Sequence, residues 1–254
     1  MIKPEIFFLK SCESTNDIAF EKIQNALNDI VLVVTDEQTK GRGRQGRSWM
    51  GQPGNLMASL GISFRNISPL TADQLSFVPL LAGVAAIDTC QKFLPLEQRS
   101  LVHLKWPNDL MKNKEKVGGI LCESKFRGNN LSCLVVGFGI NLVSKPNLVD
   151  SVAQPVNCLF DTIDDGVEVF SLRNSVAKSL LEQFLVVFEK LRNNDLLSIR
   201  DSWIVHARLS EHRKLFSHVE SKSKQEVEIL GLTEKGLLHV RTLDGRELFL
   251  DQPY

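Results

Sequence analysis

The sequence predicts an α+β fold, with a large domain over residues 1–207 and a small β domain over residues 208–254. Short apolar runs rich in β-branched residues alternate with stretches of helical spacing through most of the chain. The C-terminal part carries only short strand patterns separated by turn signals. A length of 254 residues, at roughly 150 per domain, fits one large domain and one small one.

The N-terminal half alternates strands with helices. Ser14 is a good N-cap, and Asp17 completes a capping-box-like S-x-x-D pattern, so a helix is predicted from here to about residue 28. Thr71 or Ser68 caps a second helix, which extends to about residue 93. Apolar runs predict strands at residues 6–10, 31–35, 55–64 and 102–106.

The second half contains a hairpin, two helices and a final group of strands. A polar turn, KNKEK, separates strand residues 110–111 from 117–124, and a further buried strand follows at 131–137. Amphipathic patterns predict helices over 168–192 and 195–205. Hairpin signals at 233–236 and 244–245 separate three short strands, at 226–232, 237–243 and 247–250. A β domain this small is expected to pack on the larger one.

The charge balance excludes a protein held to its partner by bulk charge. The chain has 30 Lys and Arg against 30 Asp and Glu, so neither a nucleic acid nor an anionic membrane is an expected partner. One local exception is the segment KGRGRQGR, residues 40–47, which places four cations and three glycines in eight residues.

Cysteine usage and the N-terminus indicate a cytoplasmic protein. The five cysteines are widely spaced and form no C-x-x-C pair, which favours free thiols and argues against a structural metal site. The N-terminal segment has no h-region of signal length, and no apolar stretch has membrane-spanning length.

The glycine-arginine loop is the strongest chemical signal. Its glycines allow backbone N–H groups to approach an anion, and its arginines offer multi-donor groups suited to phosphate or carboxylate. Trp49 adds a flat face for a ring system. A solvated basic loop and a nucleic-acid-binding run are the alternatives. Its position between two predicted strands favours a small anionic ligand.

Three further segments carry weaker signals when each is taken alone. KWPNDL places Asn108 and Asp109 at a strand end, where they offer oxygens to Mg²⁺ or form a simple turn. KVGGILCES places Lys116 before a glycine pair, as a phosphate partner or a solvated hairpin lysine. VVGFGINL runs a strand into G-x-G-x-N, which is not the dinucleotide-binding fingerprint.

The order of these motifs is far more specific than any one of them. S-T-N, Q-x-x-G-R-G-R-x-G-R-x-W, K-W-P-N-D-L, K-x-G-G-I-L-x-E and G-x-G-I-N-L, spanning residues 14–142, resemble the biotin–protein ligases. The resemblance implies a mixed-sheet, class II synthetase-like catalytic domain with a C-terminal SH3-like β-barrel. Residues 203–215 depart from the family by lacking a clear glycine-valine signature at the barrel entrance, and Gly118 stands where alanine is common.

The resemblance also assigns site residues by position. Those implied to bind biotin are Ser14, Thr15, Asn16, Gln38, Arg42, Gly43, Arg44 and Lys116. Those implied to bind ATP are Arg44, Trp49, Lys105, Asn108 and Asn141. Lys116, Arg44 and Asp109 are the implied catalytic residues, with Asp109 also a ligand of Mg²⁺. In this family the glycine-arginine loop becomes ordered when ligand binds.

The implied reaction has two steps and needs ATP, Mg²⁺ and biotin. Biotin is activated as biotinyl-5′-AMP and then transferred to a lysine of a biotin carboxyl carrier protein, such as that of acetyl-CoA carboxylase. The alternatives are acyl transfer of the lipoate–protein ligase type and a biotin-sensing regulator without a DNA-binding domain. A helix-turn-helix repressor is not expected, because the S-T-N motif begins at Ser14 and leaves no room for such a module before it.

Overall fold

The computed structural model describes residues 4–145, 155–162, 168–209, 213–217 and 224–250. The larger sheet contains the strands β1 (Glu5–Leu9), β2 (Ile30–Thr35), β3 (Leu56–Ser63), β4 (Val102–Lys105), β5 (Asp109–Lys112), β6 (Glu115–Arg127) and β7 (Asn130–Ile140). The helices are α1 (Thr15–Asn25), α2 (Ala72–Ser76), α3 (Val78–Phe93), α4 (Val169–Arg192) and α5 (Leu196–Ala207). The smaller sheet contains β8 (Arg213–Ser217), β9 (Lys224–Leu232), β10 (Leu238–Thr242) and β11 (Glu247–Leu250).

The larger sheet is mixed and separates two hydrophobic layers. Its strand order is β1-β2-β3-β7-β6-β5-β4, with β1 and β2 parallel and every other neighbouring pair antiparallel. Alternate residues of β2, β3 and β7 face α3 and α4 in the main core. The residues between them face the opposite side of the sheet. There they pack against Ala19, Phe20 and Ile23 of α1 in a smaller core.

The smaller sheet shares the main core with the larger one. Its order is β11-β10-β9-β8, all antiparallel, and Val227, Leu238 and Val240 belong to the same buried cluster as α3 and α5. The α+β class and the small C-terminal sheet are therefore confirmed. Closure of that sheet into an SH3-like barrel and the domain boundary at residue 207 stay predictions.

Three local predictions differ from the structure. The helix expected to extend to about residue 93 is divided at Phe77, because Pro79 stands in the first turn of α3. Ser14 occupies the N-cap of α1 but its side chain makes no capping hydrogen bond, and Asp17 instead pairs with the glycine-arginine loop. Strand β8 was not predicted.

Two general properties follow from the described residues. All five cysteines are free thiols. No helix within the described ranges is both long enough and apolar enough to cross a membrane.

Candidate active site

A cavity of about 360 Å³ lies on the face of the larger sheet that also carries α1. The strand register explains its floor: Gly119 pairs with Gly139, and Leu121 pairs with Gly137, so these residues of β6 and β7 face the same side. The N-terminus of α1 closes one end of the cavity, and residues 42–50 of the glycine-arginine loop cover it.

Two glycines of β7 leave space for the side chains of Asn16 and Trp49 at the two ends of the cavity. A Cβ atom at Gly137 would overlap the Asn16 amide, and one at Gly139 would overlap the Trp49 indole. This close approach is the reason for glycine in the G-x-G pattern of β7. The pattern thus serves side-chain packing against the strand, with no dinucleotide fingerprint involved.

The first end of the cavity is polar. Gln38 Oε1 accepts hydrogen bonds from the Thr15 backbone N–H at 2.7 Å and from Thr15 Oγ1 at 3.0 Å. The hydroxyl of Ser59, a buried residue of β3, lies 2.5 Å from Asn16 Oδ1 and 2.7 Å from Thr15 Oγ1. These contacts fix the orientation of amide and hydroxyl groups beside the cavity.

Glu123 connects this polar end to the covering loop. Its Oε2 accepts from Asn16 Nδ2 at 2.6 Å and from Arg42 Nη2 at 3.5 Å. Arg42 also donates two hydrogen bonds to the Asp17 carboxylate, at 2.6 and 2.7 Å. This contact lowers the pKa of Asp17 and raises that of Arg42. The loop is thereby held against α1 and β6.

The second end of the cavity is cationic. Lys116 Nζ lies 2.5 Å from Asp109 Oδ1 and 5.9 Å from the centre of the Trp49 ring. The aliphatic end of Lys116 also runs over Gly119, where a Cβ would lie 3.3 Å from its Cε. Asp109 thus pairs with the ammonium group of Lys116 without lining the cavity, while Lys116 itself lines it.

Arg44 and Lys105 add two more cations near this end. Arg44 Nη1 lies 3.5 Å from Asn108 Oδ1, and Asn108 Nδ2 donates to the Ile120 carbonyl at 2.7 Å. Burial lowers the pKa of Arg44 and the pKa of Lys105 below their ordinary values. Desolvated cations of this kind interact strongly with an anion that enters the site.

Asn141 lies where β7 ends, between the sheet and residues 155–161. Its Nδ2 donates to the Asn157 carbonyl at 3.1 Å. Its Oδ1 is buried, as is Trp49 Nε1, and neither atom has a hydrogen-bond partner among the described residues. Both residues line the cavity, so each can offer a polar atom to a ligand there.

The structure gathers most of the predicted site residues. Those that line the cavity are Ser14, Thr15, Asn16, Gln38, Arg42, Gly43, Arg44, Trp49, Asn108, Lys116 and Asn141. Asp109 reaches the site through Lys116, and Lys105 lies outside the lining. Their individual roles stay predictions.

Sequence reasoning missed Ser59 and Glu123 as site residues, and it assigned Asp17 only to a cap. The i, i+2 alternation of β3 and β6 places Ser59 and Glu123 on the cavity face once the strand order is known. Glu123 also ends the K-x-G-G-I-L-x-E motif, which is a second signal for this residue alone.

The acidic residues near the cavity can bind Mg²⁺ only together with the phosphates of a nucleotide. In the described part of the chain, no group of three His, Cys, Asp or Glu residues is placed to hold a metal ion. Mg²⁺ is commonly bound through one or two carboxylates, with phosphates and water completing its shell. Asp109, with Asn108 beside it, can supply an oxygen to an ion that enters with nucleotide phosphates.

Comparison with known proteins agrees with this geometry. A family model described as the biotin/lipoate A/B protein ligase family matches residues 8–141. A biotin–[acetyl-CoA-carboxylase] ligase of Paracoccus denitrificans is 37% identical over 139 residues, which is 55% of each chain. A chloroplastic biotin–protein ligase 1 of Arabidopsis thaliana is 33% identical over 82% of this chain and 54% of its own length.

The fold is shared with a solved structure. The biotin protein ligase of Aquifex aeolicus, in complex with biotin and ATP, superimposes with a TM-score of 0.73 at 23% identity, covering 98% of this chain and 97% of that one. The chain spans about half the length of the curated relatives it matches. The family match covers more than half of this chain, including both ends of the cavity. The chain belongs to the biotin/lipoate A/B protein ligase family.

Proposed function

We propose that this protein is an ATP-dependent ligase that activates biotin as biotinyl-5′-AMP and transfers it to a lysine of a biotin carboxyl carrier protein. The observation that carries this proposal is a single cavity with a hydrogen-bonding end at Asn16 and a cationic end at Lys116. Biotin has the matching polarity, with a ureido ring at one end and a carboxylate at the other.

The polar end favours biotin over lipoate within the family. A ureido ring carries two N–H donors and one carbonyl acceptor, which suit the amide and hydroxyl groups of Thr15, Asn16 and Gln38. The dithiolane ring of lipoate has no comparable donor or acceptor. Such a ligand would desolvate these polar groups without replacing their hydrogen bonds, at a cost of about 1–3 kcal/mol for each group.

The cationic end supports the first chemical step. An oxygen of the biotin carboxylate attacks the α-phosphorus of MgATP, and the bond to the β-phosphate breaks to release pyrophosphate. Lys116 and Arg44 are placed to offset the negative charge that gathers when these two anions meet. Asp109 orients Lys116 through the 2.5 Å contact. The covering loop shields the acyl phosphate from water.

The second step forms an amide. The ε-amine of the acceptor lysine attacks the acyl carbon, the bond to the phosphate oxygen breaks, and AMP leaves as the nitrogen loses a proton. The carrier domain is proposed because the Paracoccus denitrificans relative is named for ligation to acetyl-CoA carboxylase. A second cavity, of about 610 Å³, joins the Arg44 side to the turn at Gly236 and leaves room for an approaching side chain.

Biotin-dependent exchange of labelled pyrophosphate into ATP tests the first step. Lys116→Ala is expected to reduce the exchange rate at least about 100-fold, the usual order for loss of one such stabilising group. Lys114→Ala, an exposed lysine two residues earlier, is the matched control and should keep the wild-type rate. Wild-type exchange by Lys116→Ala would contradict the assignment.

A titration with biotin and lipoate tests the substrate. Calorimetry on the intact protein should give a biotin dissociation constant at least about 100-fold below that of lipoate, because several hydrogen bonds are at stake. Equal or tighter binding of lipoate would favour the lipoate branch of the family.

A further inference from the structure

Residues 155–161, named here the strap, run beside the place where β6 begins and β7 ends, next to Lys116 of β6 and to Asn141, which directly follows β7. The Lys116 N–H donates to the Pro155 carbonyl at 2.8 Å, and the Asn157 N–H donates to the Lys116 carbonyl at 2.9 Å. The Leu159 N–H donates to the Asn141 carbonyl at 2.7 Å. The strap therefore fixes the backbone of two cavity residues from different strands.

Two side-chain contacts hold the strap in place. Lys112, whose side chain is only 2% exposed, donates from Nζ to the Leu159 carbonyl at 3.0 Å and to Asp161 at 2.7 Å. Asn157 donates from Nδ2 to Glu115 at 2.6 Å, and its Oδ1 accepts from the next backbone N–H at 2.8 Å. Burial of an unpaired ammonium group lowers the stability of the fold, so Lys112 requires its two contacts with the strap.

The strap also determines which atom of the Asn141 amide faces the ligand. A backbone carbonyl only accepts hydrogen bonds, so Asn141 must turn its NH₂ group toward the Asn157 carbonyl. Its Oδ1, buried and without a partner among the described residues, is then left as an acceptor for a donor on the ligand. In a purine nucleotide, the 6-amino group of adenine is such a donor, and the 6-carbonyl of hypoxanthine is not.

We propose that the strap is a positioning element for the nucleotide side of the cavity, with Lys112 and Asn157 as the positioning residues that hold it. It orients Asn141 to select an amino-substituted purine, and it fixes the backbone from which Lys116 extends. This inference rests on the proposed function, because it takes the cavity to bind ATP. Neither Lys112 nor Asn157 lines the cavity, so both act through other residues.

The test compares ATP with ITP in biotin-dependent pyrophosphate exchange. The wild-type protein is expected to prefer ATP by at least about tenfold in kcat/KM, because an inosine carbonyl would face the Asn141 acceptor. Asn157→Asp places a carboxylate against Glu115 and should reduce this preference to about threefold or less. Lys112→Met, which keeps an apolar stem, should act in the same direction.

Exchanging the donor and the acceptor between residues 115 and 157 should restore the ATP preference. In the double variant E115Q/N157D the amide and carboxylate exchange places, so the hydrogen bond re-forms and the ATP preference should return. Lys114→Met, an exposed lysine in the same turn, is the control and should leave the preference unchanged. The biotin dissociation constant should change by no more than about tenfold, through Lys116 alone, because the hydrogen bonds of Thr15, Asn16 and Gln38 do not involve the strap.

The outcomes separate the two proposals. Folded N157D and K112M proteins that retain the wild-type ATP-to-ITP ratio, even with lower overall rates, would overturn the positioning role. Absence of exchange in the wild-type protein would instead count against the proposed function. The strap would then be tested by calorimetric binding of ATP and ITP alone, where the same loss and rescue of preference are expected.

Discussion

Alanine at Gly137 or at Gly139 should impair the two ends of the cavity separately. Both glycines lie on β7 and face the cavity. A Cβ atom at the first position would overlap the Asn16 amide, and one at the second would overlap the Trp49 indole. Gly137→Ala is therefore expected to weaken biotin binding, and Gly139→Ala is expected to weaken nucleotide binding.

The size of the first effect follows from what Asn16 would lose. Its amide makes hydrogen bonds of 2.5 Å with Ser59 and 2.6 Å with Glu123, and displacement would break or distort both. A displaced amide also cannot make its hydrogen bonds to the ureido ring, and the loss of two of these, at about 1–2 kcal/mol each, gives about 2–4 kcal/mol of binding free energy. The biotin dissociation constant should rise by about 30-fold to 1,000-fold.

The size of the second effect follows from the stacking face of Trp49. Loss of one aromatic platform beneath a base costs about 1–3 kcal/mol, which predicts a rise of about 5-fold to 150-fold in the ATP dissociation constant. Isothermal titration calorimetry, with each ligand added separately to each variant, measures both values.

Gly61→Ala is the matched control. Gly61 lies on the neighbouring strand β3, where a Cβ would be 2.9 Å from Val31 Cγ2, so the same substitution crowds the same sheet outside the cavity. It should lower the unfolding midpoint and leave both ligands within about twofold. Equal losses of biotin and ATP binding in the two cavity variants would refute the separation of the two ends.

Three further predictions concern the glycine-arginine loop, the ion pair between Arg173 and Asp36, and the thiol of a buried cysteine. Asp17→Asn removes the charge that holds Arg42, so tryptic cleavage within residues 40–47 should be several-fold faster without ligand. Arg173→Met removes a buried guanidinium that pairs with the partly exposed carboxylate of Asp36, and it should lower the free energy of unfolding by about 1–2 kcal/mol, measured by urea denaturation. Burial raises the pKa of Cys90 to about 12, so at pH 8 its alkylation by iodoacetamide should be about 10³-fold slower than that of an ordinary thiol.

Each of these predictions has a control. Saturating biotin and ATP should slow loop cleavage in the wild-type protein, and unchanged cleavage in Asp17→Asn would contradict the loop contact. Asp201→Asn removes an exposed partner of Arg200 and should change stability by less than about 0.5 kcal/mol. Cys90 deprotonates only as the pH rises toward 12, so rapid alkylation of this residue at pH 8 in the folded protein would contradict its burial, while urea-unfolded protein should react readily.

Periodicity predicted the elements that have strong local patterns and missed those that depend on tertiary context. The apolar run that forms β2 and the N-cap expected at Thr71 or Ser68 are local signals. The structure confirms the strand and places the cap at Thr71, where Gln74 completes a capping box that was not predicted. Strand β8 has no comparable local pattern. It is recognised as a strand only by its pairing with β9. The pairing of Asp17 with Arg42 also overrode the capping box expected at Ser14, since the loop cation lies 25 residues away in sequence.

The candidate site was predicted mainly through motif order, and its connecting residues were not. Asn16 and Lys116 lie in recognisable motifs, so the two ends of the cavity could be anticipated. Ser59 lies in an ordinary strand sequence, whereas Glu123 ends the K-x-G-G-I-L-x-E motif without a role assigned to it. The contacts of both residues depend on β3, β7 and β6 being neighbours. Asn157 is similar, because its contact with Glu115 spans 42 residues. A single sequence does not encode such adjacency in any local pattern.

The proposed ligase activity can be measured as transfer of labelled biotin to the carrier domain of a biotin-dependent carboxylase. We expect covalent incorporation at one lysine that requires ATP, releases one AMP for each biotin attached, and falls at least about 100-fold in Lys116→Ala. Incorporation that does not depend on ATP, or none at all with a folded protein that binds both biotin and ATP, would contradict it.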